Sequence, residues 1–406
     1  MKYDINSYCT LSKVVEDRDY AKQMGIIVKS KIIDDKPIHI LNYNRLMITP
    51  ENTKTLGLFR SVITDGEKVL SFSPPKSLKL VKFHEEVKFG EYDIEYFVEG
   101  TMINVFYHNG FWECSTKGTI GAKCKFFRDY PKTFRVLFLE ALNESGLEFD
   151  MLNKEHCYSF VLQHPENRIV VPFINKKLYL VNVYKCDGTV VEEMSKKEVL
   201  DMGLDIHVPE LFLDKEFKNY HEVVTYFSSL NIEYKKVGIV LKKNGVRTKL
   251  WNPNYLKVKG LRGNSPKIQF QYYNLLKDKR LHEFLKFFPE YEGMFKNYKM
   301  ELFNWTEQLW KNYKACYIRK EKPLREYPKQ YKTHMFQIHQ KYLNDLKPDN
   351  KKTDKLFIIK YVNLLEPAQL MFGINYVYRN LEVDLEKNKL EKIKHGISTT
   401  PPMNKF

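Results

Sequence analysis

Apolar residues follow two different spacings along this chain. Between about residues 26 and 240 they form short runs rich in Val, Ile, Phe and Tyr, separated by turn sequences such as Asn109 and Gly110. Runs of this kind predict β-strands joined by tight hairpin turns. The clearest hairpins are predicted at 102–118 and 168–191. Helices are predicted between the strands, at 132–145, 195–202 and 218–230.

After Pro266 the apolar residues recur every three or four positions, which is the spacing of an amphipathic helix. The clearest examples are Leu281, Phe284, Leu285, Phe288, Leu302, Trp305, Leu309 and Tyr313. The pattern predicts an α+β protein, with a mixed domain at 1–265 followed by an all-helical domain at 266–380. The charged segment 381–406 is predicted to be a partly disordered tail.

The charge balance favours a polyanionic partner. The chain has 66 Lys and Arg residues against 50 Asp and Glu residues, which gives a net charge of +16. Basic proteins attract nucleic acid because each neutralised phosphate releases a counterion. An AT-rich genome raises the lysine content whatever the function, so charge alone does not decide the partner.

Cysteine usage and hydropathy limit the class of protein. The six cysteines are scattered, with no CxxC pair, so we expect reduced thiols and no zinc site. The first residues are charged throughout, and no stretch reaches 18 apolar residues. The sequence predicts a cytoplasmic, intracellular protein with no membrane partner, and it leaves the oligomeric state open.

Five segments of the mixed domain place polar residues in a particular order. They are 58–78 with Arg60 and Lys76, 95–121 with Glu99 before Gly100, 157–173 with Phe160 and Arg168, 235–250 with Gly238, and 247–255 with Lys249. In sequence and order they resemble the motifs of the phage-type RNA ligases. That family belongs to the covalent nucleotidyltransferases, with other ligases and mRNA capping enzymes. The resemblance covers about residues 55–265.

The resemblance implies an antiparallel-sheet nucleotidyltransferase domain of the ATP-grasp-like ligase kind, with ATP and magnesium as cofactors. It implies five nucleotide-binding residues, the last of them stacking on the base: Arg60, Lys76, Arg168, Lys249 and Phe160. Glu99 is the retained acidic residue of the lysine-bearing motif. The chain also resembles uncharacterised ligase-like proteins of large DNA viruses, which implies a viral origin.

Four motif positions carry apolar residues in place of reactive groups. Aligned on Gly100, the position of the nucleophilic lysine is Phe97, whose ring has no lone pair to attack phosphorus. Val161 and Val237 stand where the motifs have acidic residues, and Trp251 replaces the second lysine of the last motif. Because the framing residues remain, the pattern favours a protein that is degenerate in catalysis, with no metal ligand among its site residues.

The segment 255–273 interleaves basic and aromatic residues, as single-strand nucleic-acid sites do. Together with the last motif it predicts four RNA-binding residues: Arg247, Lys257, Lys259 and Arg262. The alternative is an amphipathic strand with a basic outer face.

Two other functions remain open. In an active ligase or capping-type transferase, a different lysine would attack and Glu99 would position it, although Lys82 and Lys88 lie nine or more residues before Phe97. In an interaction scaffold, the helical domain would recruit other proteins and the basic face would be incidental. His334 and His339 are predicted to be structural, because they stand five positions apart and no acidic residue stands at a useful offset.

Overall fold

The structure is a computed structural model that describes residues 1–33, 35–126 and 131–379. The chain divides after Arg262 into two compact units. The first unit combines strands and helices, and the described part of the second unit is helical. The prediction of an α+β protein with antiparallel sheets followed by a helical region is confirmed. The tail predicted at 381–406 lies outside the described residues.

The strands of the first unit form where β-branched and aromatic residues alternate with polar ones. Their bounds are β1 (Lys2–Asp4), β2 (Ile26–Ile33), β3 (Lys36–Tyr43), β4 (Arg60–Thr64), β5 (Val69–Ser71), β6 (Asp93–Tyr96), β7 (Thr101–His108), β8 (Phe111–Thr116), β9 (Thr119–Ile120), β10 (His156–Gln163), β11 (Lys177–Asp187), β12 (Val190–Glu193), β13 (Gly238–Lys243) and β14 (Val246–Trp251).

These strands form three antiparallel sheets. The largest has the order β1-β12-β11-β10-β7-β8-β9, the second β2-β3-β4-β5 and the third β14-β13-β6. The predicted turn between β7 and β8 is present, and its residues Asn109 and Gly110 have φ values of 48° and 86°. Two successive positive φ values match the twist of antiparallel strands, which is why this dipeptide closes the hairpin.

Seven helices of the first unit are described: α1 (Leu11–Glu16), α2 (Arg18–Gln23), α3 (Leu80–Glu86), α4 (Phe134–Ser145), α5 (Lys196–Asp201), α6 (Tyr220–Phe227) and α7 (Pro253–Arg262). The three helices predicted from spacing correspond to α4, α5 and α6. Helix α4 begins where the Thr133 side chain accepts a hydrogen bond from the Val136 N–H group, and it ends at Gly146 with a φ of 70°.

Helices cover one face of each of two sheets. Helix α4 packs on the seven-stranded sheet, where Phe138 contacts Phe160 of β10. Helices α3 and α6 contribute Phe83 and Phe227 to the core of the three-stranded sheet, which also contains Ile239 and Leu241. The opposite faces of these two sheets line a common cleft.

Two glycines allow the backbones beside this cleft to approach closely. Gly238 has a φ of 136°, and a Cβ atom there would overlap the carbonyl oxygen of Leu250 on the neighbouring strand. Gly100 has a φ of 150°, and a Cβ atom there would overlap the carbonyl oxygen of Leu162. Both positions therefore need glycine for conformation and for space.

The described part of the second unit contains α8 (Ile268–Lys277), α9 (Leu281–Phe287), α10 (Glu292–Tyr313), α11 (Lys329–Lys341), α12 (Lys355–Asn363) and α13 (Pro367–Ile374). Helix α10 packs on α8, α11, α12 and α13. Its apolar stripe is buried at Trp305, Leu309 and Tyr313, as predicted. His334 is buried and lies 2.8 Å from the Tyr361 hydroxyl group, which agrees with a structural role.

No helix in the described part of the chain combines the length and the hydropathy that crossing a lipid bilayer requires.

Replacing Gly238 with Ala is expected to lower the free energy of unfolding by roughly 2–4 kcal/mol, because the new methyl group meets a carbonyl oxygen at a positive φ. Urea denaturation measures the change. The control is Gly260→Ala in α7, where a Cβ atom meets nothing within 4 Å. That variant should match or exceed the wild-type stability by up to about 1 kcal/mol. Equal stability of the two variants would contradict the packing described at Gly238.

Candidate functional site

A cleft of about 280 Å³ lies in the first unit. Residues of both the seven-stranded and the three-stranded sheet line it, together with residues of β4 and α7. The volume is close to the lower end of the roughly 300–1,000 Å³ found for small-molecule pockets. The cleft therefore suits a phosphate chain or part of a nucleotide better than a large ligand.

Strand alternation places the polar side chains of β13 and β14 in this cleft. Ile239 and Leu241 point into the core of the three-stranded sheet, so Val240 and Lys242 point the other way, into the cleft. On β14 the alternate residues Arg247, Lys249 and Trp251 also line the cleft. Lys249 lies directly opposite Val240, and Arg247 lies opposite Lys242.

Four basic side chains converge in the cleft: Arg60, Lys117, Arg247 and Lys249. The two guanidinium groups are fixed by backbone carbonyl groups, because Arg60 and Arg247 both donate to the Pro74 oxygen, each at 3.0 Å. Arg247 also donates to the Pro75 oxygen at 2.7 Å. Both arginines are thus held in place by neutral acceptors.

In the part of the chain that the structure describes, none of these four basic side chains forms an ion pair with a carboxylate, although the charges of Glu193 and Glu95 act on Arg247 from farther away. Within residues 1–33, 35–126 and 131–379, no Asp or Glu oxygen lies within 4.0 Å of a basic nitrogen of any of them. A cluster of unpaired positive charges in a cleft is unfavourable, because burial and like charge both oppose ionisation. An anionic ligand would remove this penalty.

The two lysines show this penalty in their pKa values. Burial lowers the pKa of Lys249 to about 5, and the charges of Arg247 and Arg60 add to the effect. The pKa of Lys117 is lowered in the same direction, by partial burial and then by the charges of Arg60 and Arg247. Lys117 reaches in from the turn between β8 and β9, and it is exposed to solvent, which screens its charge and weakens the effect. Lys249 is the more strongly affected group.

Aromatic rings occupy two positions where the resemblance expects lysines. The Phe97 and Trp251 rings contact each other with centroids 4.6 Å apart, and Trp251 stacks on Tyr255 at 5.8 Å. The Nζ atom of Lys249 lies 4.2 Å from the centroid of the Phe97 ring. Lys259 of α7 lies 4.8 Å from the centroid of Trp251. The two substitutions therefore form one continuous aromatic surface inside the cleft.

Glu99 is buried and holds the loop before β7. The Tyr255 hydroxyl group donates to Oε1 at 2.6 Å, and the Val171 N–H group donates to Oε2 at 2.8 Å. Burial raises the pKa of Glu99, and the hydrogen bond from Tyr255 opposes that rise. Both carboxylate oxygens already accept hydrogen bonds, so the geometry gives Glu99 a positioning role.

The cleft does not fit a divalent metal ion, although the resemblance implies magnesium. Among the described lining residues the carboxylates are Glu95 and Glu99. Glu95 pairs with Lys242 at 2.7 Å and with Lys196 at 3.3 Å, and Glu99 is engaged as described above. Val161 lines the cleft where the motif has an acid, and Val237 does the same. Magnesium prefers carboxylate and other oxygen ligands, which this wall does not offer.

A second group of acidic residues lies outside the cleft. The side chains of Glu140, His164 and Glu166 are close enough to share an ion. Lys132 Nζ already lies 2.9 Å from Glu140 and 2.6 Å from Glu166, and its hydrogen bond is the main reason that the pKa of Glu140 falls to about 2. This group is a network of ion pairs that ties α4 to the loop after β10.

The structure brings together only some of the residues predicted from sequence. Five of them line the cleft, namely Arg60, Glu99, Arg247, Lys249 and Lys259, and the charge of Lys76 acts on Lys249 from the segment after β5. The other four predicted residues lie elsewhere: Phe160, Arg168, Lys257 and Arg262.

The expected stacking role of Phe160 is not supported by its position. Phe160 is fully buried in the core beneath α4, while its neighbour Val161 faces the cleft. Arg168 lies in the loop after β10 and donates to the Val170 oxygen at 3.0 Å. Lys257 is on the exposed face of α7, and the buried Arg262 guanidinium group lies over the Phe126 ring at 5.1 Å.

Sequence reasoning missed Lys117, Lys242 and Glu95. Lys117 belongs to the Ser-Thr-Lys-Gly run that follows β8, so the motif that contains it gave a usable signal. The ion pair between Glu95 and Lys242 joins β6 to β13, and although the two residues lie in the segments 95–121 and 235–250, neither stands at a motif position.

Comparison with known proteins gives two informative sequence relatives. The chain is 30% identical to an RNA ligase of Rhodothermus phage RM378 over 98 residues, which cover 22% of each protein. It is 24% identical to the immediate-early protein ICP-46 of Frog virus 3 over 197 residues, which cover 44% of this chain and 48% of the relative. The matches thus span less than half of either relative. No protein-family profile matches the sequence.

Two solved structures illustrate the structural neighbours. A putative ATP-dependent DNA ligase from Aquifex aeolicus has a TM-score of 0.37 and 13% identity, over 73% of this chain and 80% of that chain. A lysine-to-alanine variant of Naegleria gruberi RNA ligase, with ATP and Mn, has a TM-score of 0.35 and 16% identity, over 60% of this chain and 83% of that chain. Taking the motif order with the sequence matches, this chain resembles the phage-type RNA ligases and is similar to them as a divergent, ligase-like relative.

Proposed function

We propose that this protein binds the phosphates of a nucleotide or of an RNA strand in the cleft and does not become covalently nucleotidylated. The observation that carries the proposal is the group of four converging basic side chains that form no ion pair with a carboxylate among the described residues. Two like charges about 6 Å apart repel by on the order of 3 kcal/mol at an effective dielectric constant of 20. A phosphate between them turns that repulsion into attraction.

Loss of catalysis follows from the groups that the cleft lacks. Nucleotidyl transfer needs a nucleophile that attacks the α-phosphorus and a means to stabilise the departing pyrophosphate, usually with a metal ion. The nucleophile position carries the Phe97 ring, packed against Trp251. The described carboxylates of the cleft are already engaged. ATP fits this proposal as a ligand through its phosphates, and the described lining of the cleft offers magnesium no unengaged carboxylate.

An RNA strand could continue along α7 from the cleft. Lys259 lines the cleft beside Trp251 and Tyr255, and Lys257 lies on the exposed face of the same helix. Aromatic rings next to cations suit single-stranded nucleic acid, because bases stack on the rings while cations contact the phosphates. This arrangement supports RNA as a partner.

One observation favours an active enzyme as the second candidate. Because its pKa is lowered to about 5, Lys249 is an uncharged amine at neutral pH, and it lies on the Phe97 ring that marks the nucleophile position. An uncharged amine is nucleophilic. In this alternative Lys249 would attack in place of the missing lysine.

Incubation with ATP or GTP labelled at the α-phosphate, with Mg²⁺ or Mn²⁺, distinguishes the two candidates. We expect no label on the denatured protein, because the cleft offers neither the motif lysine nor a metal site. The Phe97→Lys variant should also stay unlabelled, since a restored amine still lacks metal-binding carboxylates. An acid-labile, hydroxylamine-stable adduct that disappears in Lys249→Arg would establish the active alternative instead.

Binding of 5′-phosphorylated single-stranded RNA should weaken steeply with salt, as measured by fluorescence anisotropy. Lys117→Gln is expected to weaken binding roughly 5- to 10-fold and to reduce the slope of log K against log salt by about 1, because one phosphate contact is lost. Lys22→Gln, on the exposed surface of α2, removes the same charge away from the cleft and should change neither value. Weak, salt-insensitive binding by all three proteins would favour an interaction scaffold.

A further inference from the structure

We propose that the ligand of this cleft is a metal-free polyphosphate chain, in which Arg60, Lys117, Arg247 and Lys249 take the place of a divalent ion. This inference rests on the proposed phosphate-binding function and adds the chemical form of the ligand. The expected consequence is the reverse of ordinary nucleotide binding, because Mg²⁺ should weaken the complex.

Charge matching favours a chain of phosphates over a single one. A phosphate monoester carries about −1.5 to −2 at neutral pH, and a chain of two or three phosphates carries roughly twice that. The cleft presents the charges of two guanidinium groups and Lys117, and the charge of Lys76 adds to them from the segment after β5. Lys249 becomes charged as well once a bound anion raises its pKa. A single phosphate would leave most of this charge unbalanced, whereas a chain could neutralise it.

The wall of the cleft excludes the metal that normally accompanies such a chain. In an ordinary nucleotide site, carboxylates hold the metal and the metal bridges phosphate oxygens. Here Val161 and Val237 face the cleft, and Glu95 and Glu99 already have partners. A magnesium-bound chain would bring the metal ion towards the four basic side chains of the cleft. The phosphate oxygens that bind the metal would no longer be free to accept hydrogen bonds from these side chains. The free chain therefore competes better for the basic side chains.

The rings in the cleft strengthen this selectivity. Lys249 lies on the Phe97 ring, and Lys259 lies on Trp251. Apolar rings lower the local dielectric constant, which strengthens every electrostatic interaction in the cleft. Without a ligand the basic side chains repel one another more strongly, and with a fully charged phosphate chain they are attracted to it more strongly. The rings of Phe97 and Trp251 thus keep the Lys249 amine in a poorly hydrated position.

Binding should be coupled to proton uptake at Lys249. The charges that act most strongly on Lys249 are those of Arg247 of its own strand, Arg60 of β4, Lys117 of the β8–β9 turn and Lys76 after β5, and all four are positive. In the empty cleft burial and these charges lower its pKa to about 5, so it is uncharged at pH 7.5. An anion raises this pKa towards its ordinary value, and the protein takes up a proton as it binds.

The remaining groups around the cleft do not cancel this uptake. Lys259 of α7 and Lys242 of β13 are basic, and Lys242 is paired with Glu95 of β6. Burial raises the pKa of Glu99, and a nearby anion would raise this pKa further. Any protonation change at Glu99 on binding is therefore also an uptake of protons, as at Lys249. Because the empty cleft holds fewer protons than the filled one, affinity should fall as pH rises from about 5 towards the ordinary lysine range.

Isothermal titration calorimetry tests the inference on the full chain. Inorganic pyrophosphate, tripolyphosphate, ATP, AMP and 5′-triphosphorylated RNA are titrated at pH 7.5, with either EDTA or excess MgCl₂, in two buffers of different ionisation enthalpy. We expect binding in EDTA, at least about 10-fold weaker binding in MgCl₂, and a buffer dependence that corresponds to roughly half to one proton taken up. Tripolyphosphate should bind more tightly than AMP.

Two variants assign the effect to this site. Lys249→Met should take up fewer protons than the wild type and bind tripolyphosphate more weakly, while Lys22→Met, on the exposed surface of α2, should behave like the wild type. The sign of the magnesium effect on the wild-type protein tests the inference even if the Lys249 variant fails to fold. Comparison of tripolyphosphate with triphosphorylated RNA shows whether the chain is free or belongs to an RNA end.

The remaining outcomes separate this inference from the proposed function. Tighter ATP binding with Mg²⁺ than with EDTA would overturn the metal-free ligand and leave nucleotide binding intact. Equal affinity for AMP and tripolyphosphate would also overturn it, because recognition would then not depend on the length of the chain. Absence of binding by every phosphate compound in both solutions would overturn both proposals.

Discussion

Repulsion among fixed positive charges is the constraint on which the cleft depends. The Pro74 carbonyl group holds the Arg60 and Arg247 guanidinium groups together by accepting a hydrogen bond from each. These two charges then act on Lys249, which burial has already deprived of water. The neutral carbonyl acceptor fixes the positions of the two arginines without reducing their charge. The repulsion between the two guanidinium groups therefore remains in the folded protein, and a bound anion can remove it.

The rest of the first unit positions this cluster. Gly238 allows β13 to approach β14, so Lys249 and Arg247 are held opposite Val240 and Lys242. On the other side, Glu99 joins the loop before β7 to α7 through Tyr255. An acidic residue typical of a catalytic motif thus serves here to brace the walls of the cleft, and the rings of Phe97 and Trp251 occupy the space between them.

The sequence predicted the fold class and the central cleft residues better than the directions of side chains. Spacing alone indicated the change from strands to helices, and motif order indicated Arg60 and Lys249. Phe160 was placed on the wrong face because Cys157–Leu162 is buried on both sides, so alternation of polar and apolar residues does not reveal which face is which. Lys117 was overlooked because its role depends on a turn that brings it beside residues far away in sequence. The 255–273 segment contains helices rather than a strand, and Pro253 at the first position of α7 is the signal for that start.

The contact between Phe97 and Trp251 makes these two positions interdependent. A lysine side chain at position 97 would place its amine against the Trp251 indole, beside Lys249 and close to two guanidinium groups. Substitution at either position therefore changes the surroundings of the other, so neither ring can be exchanged without altering the site of its neighbour.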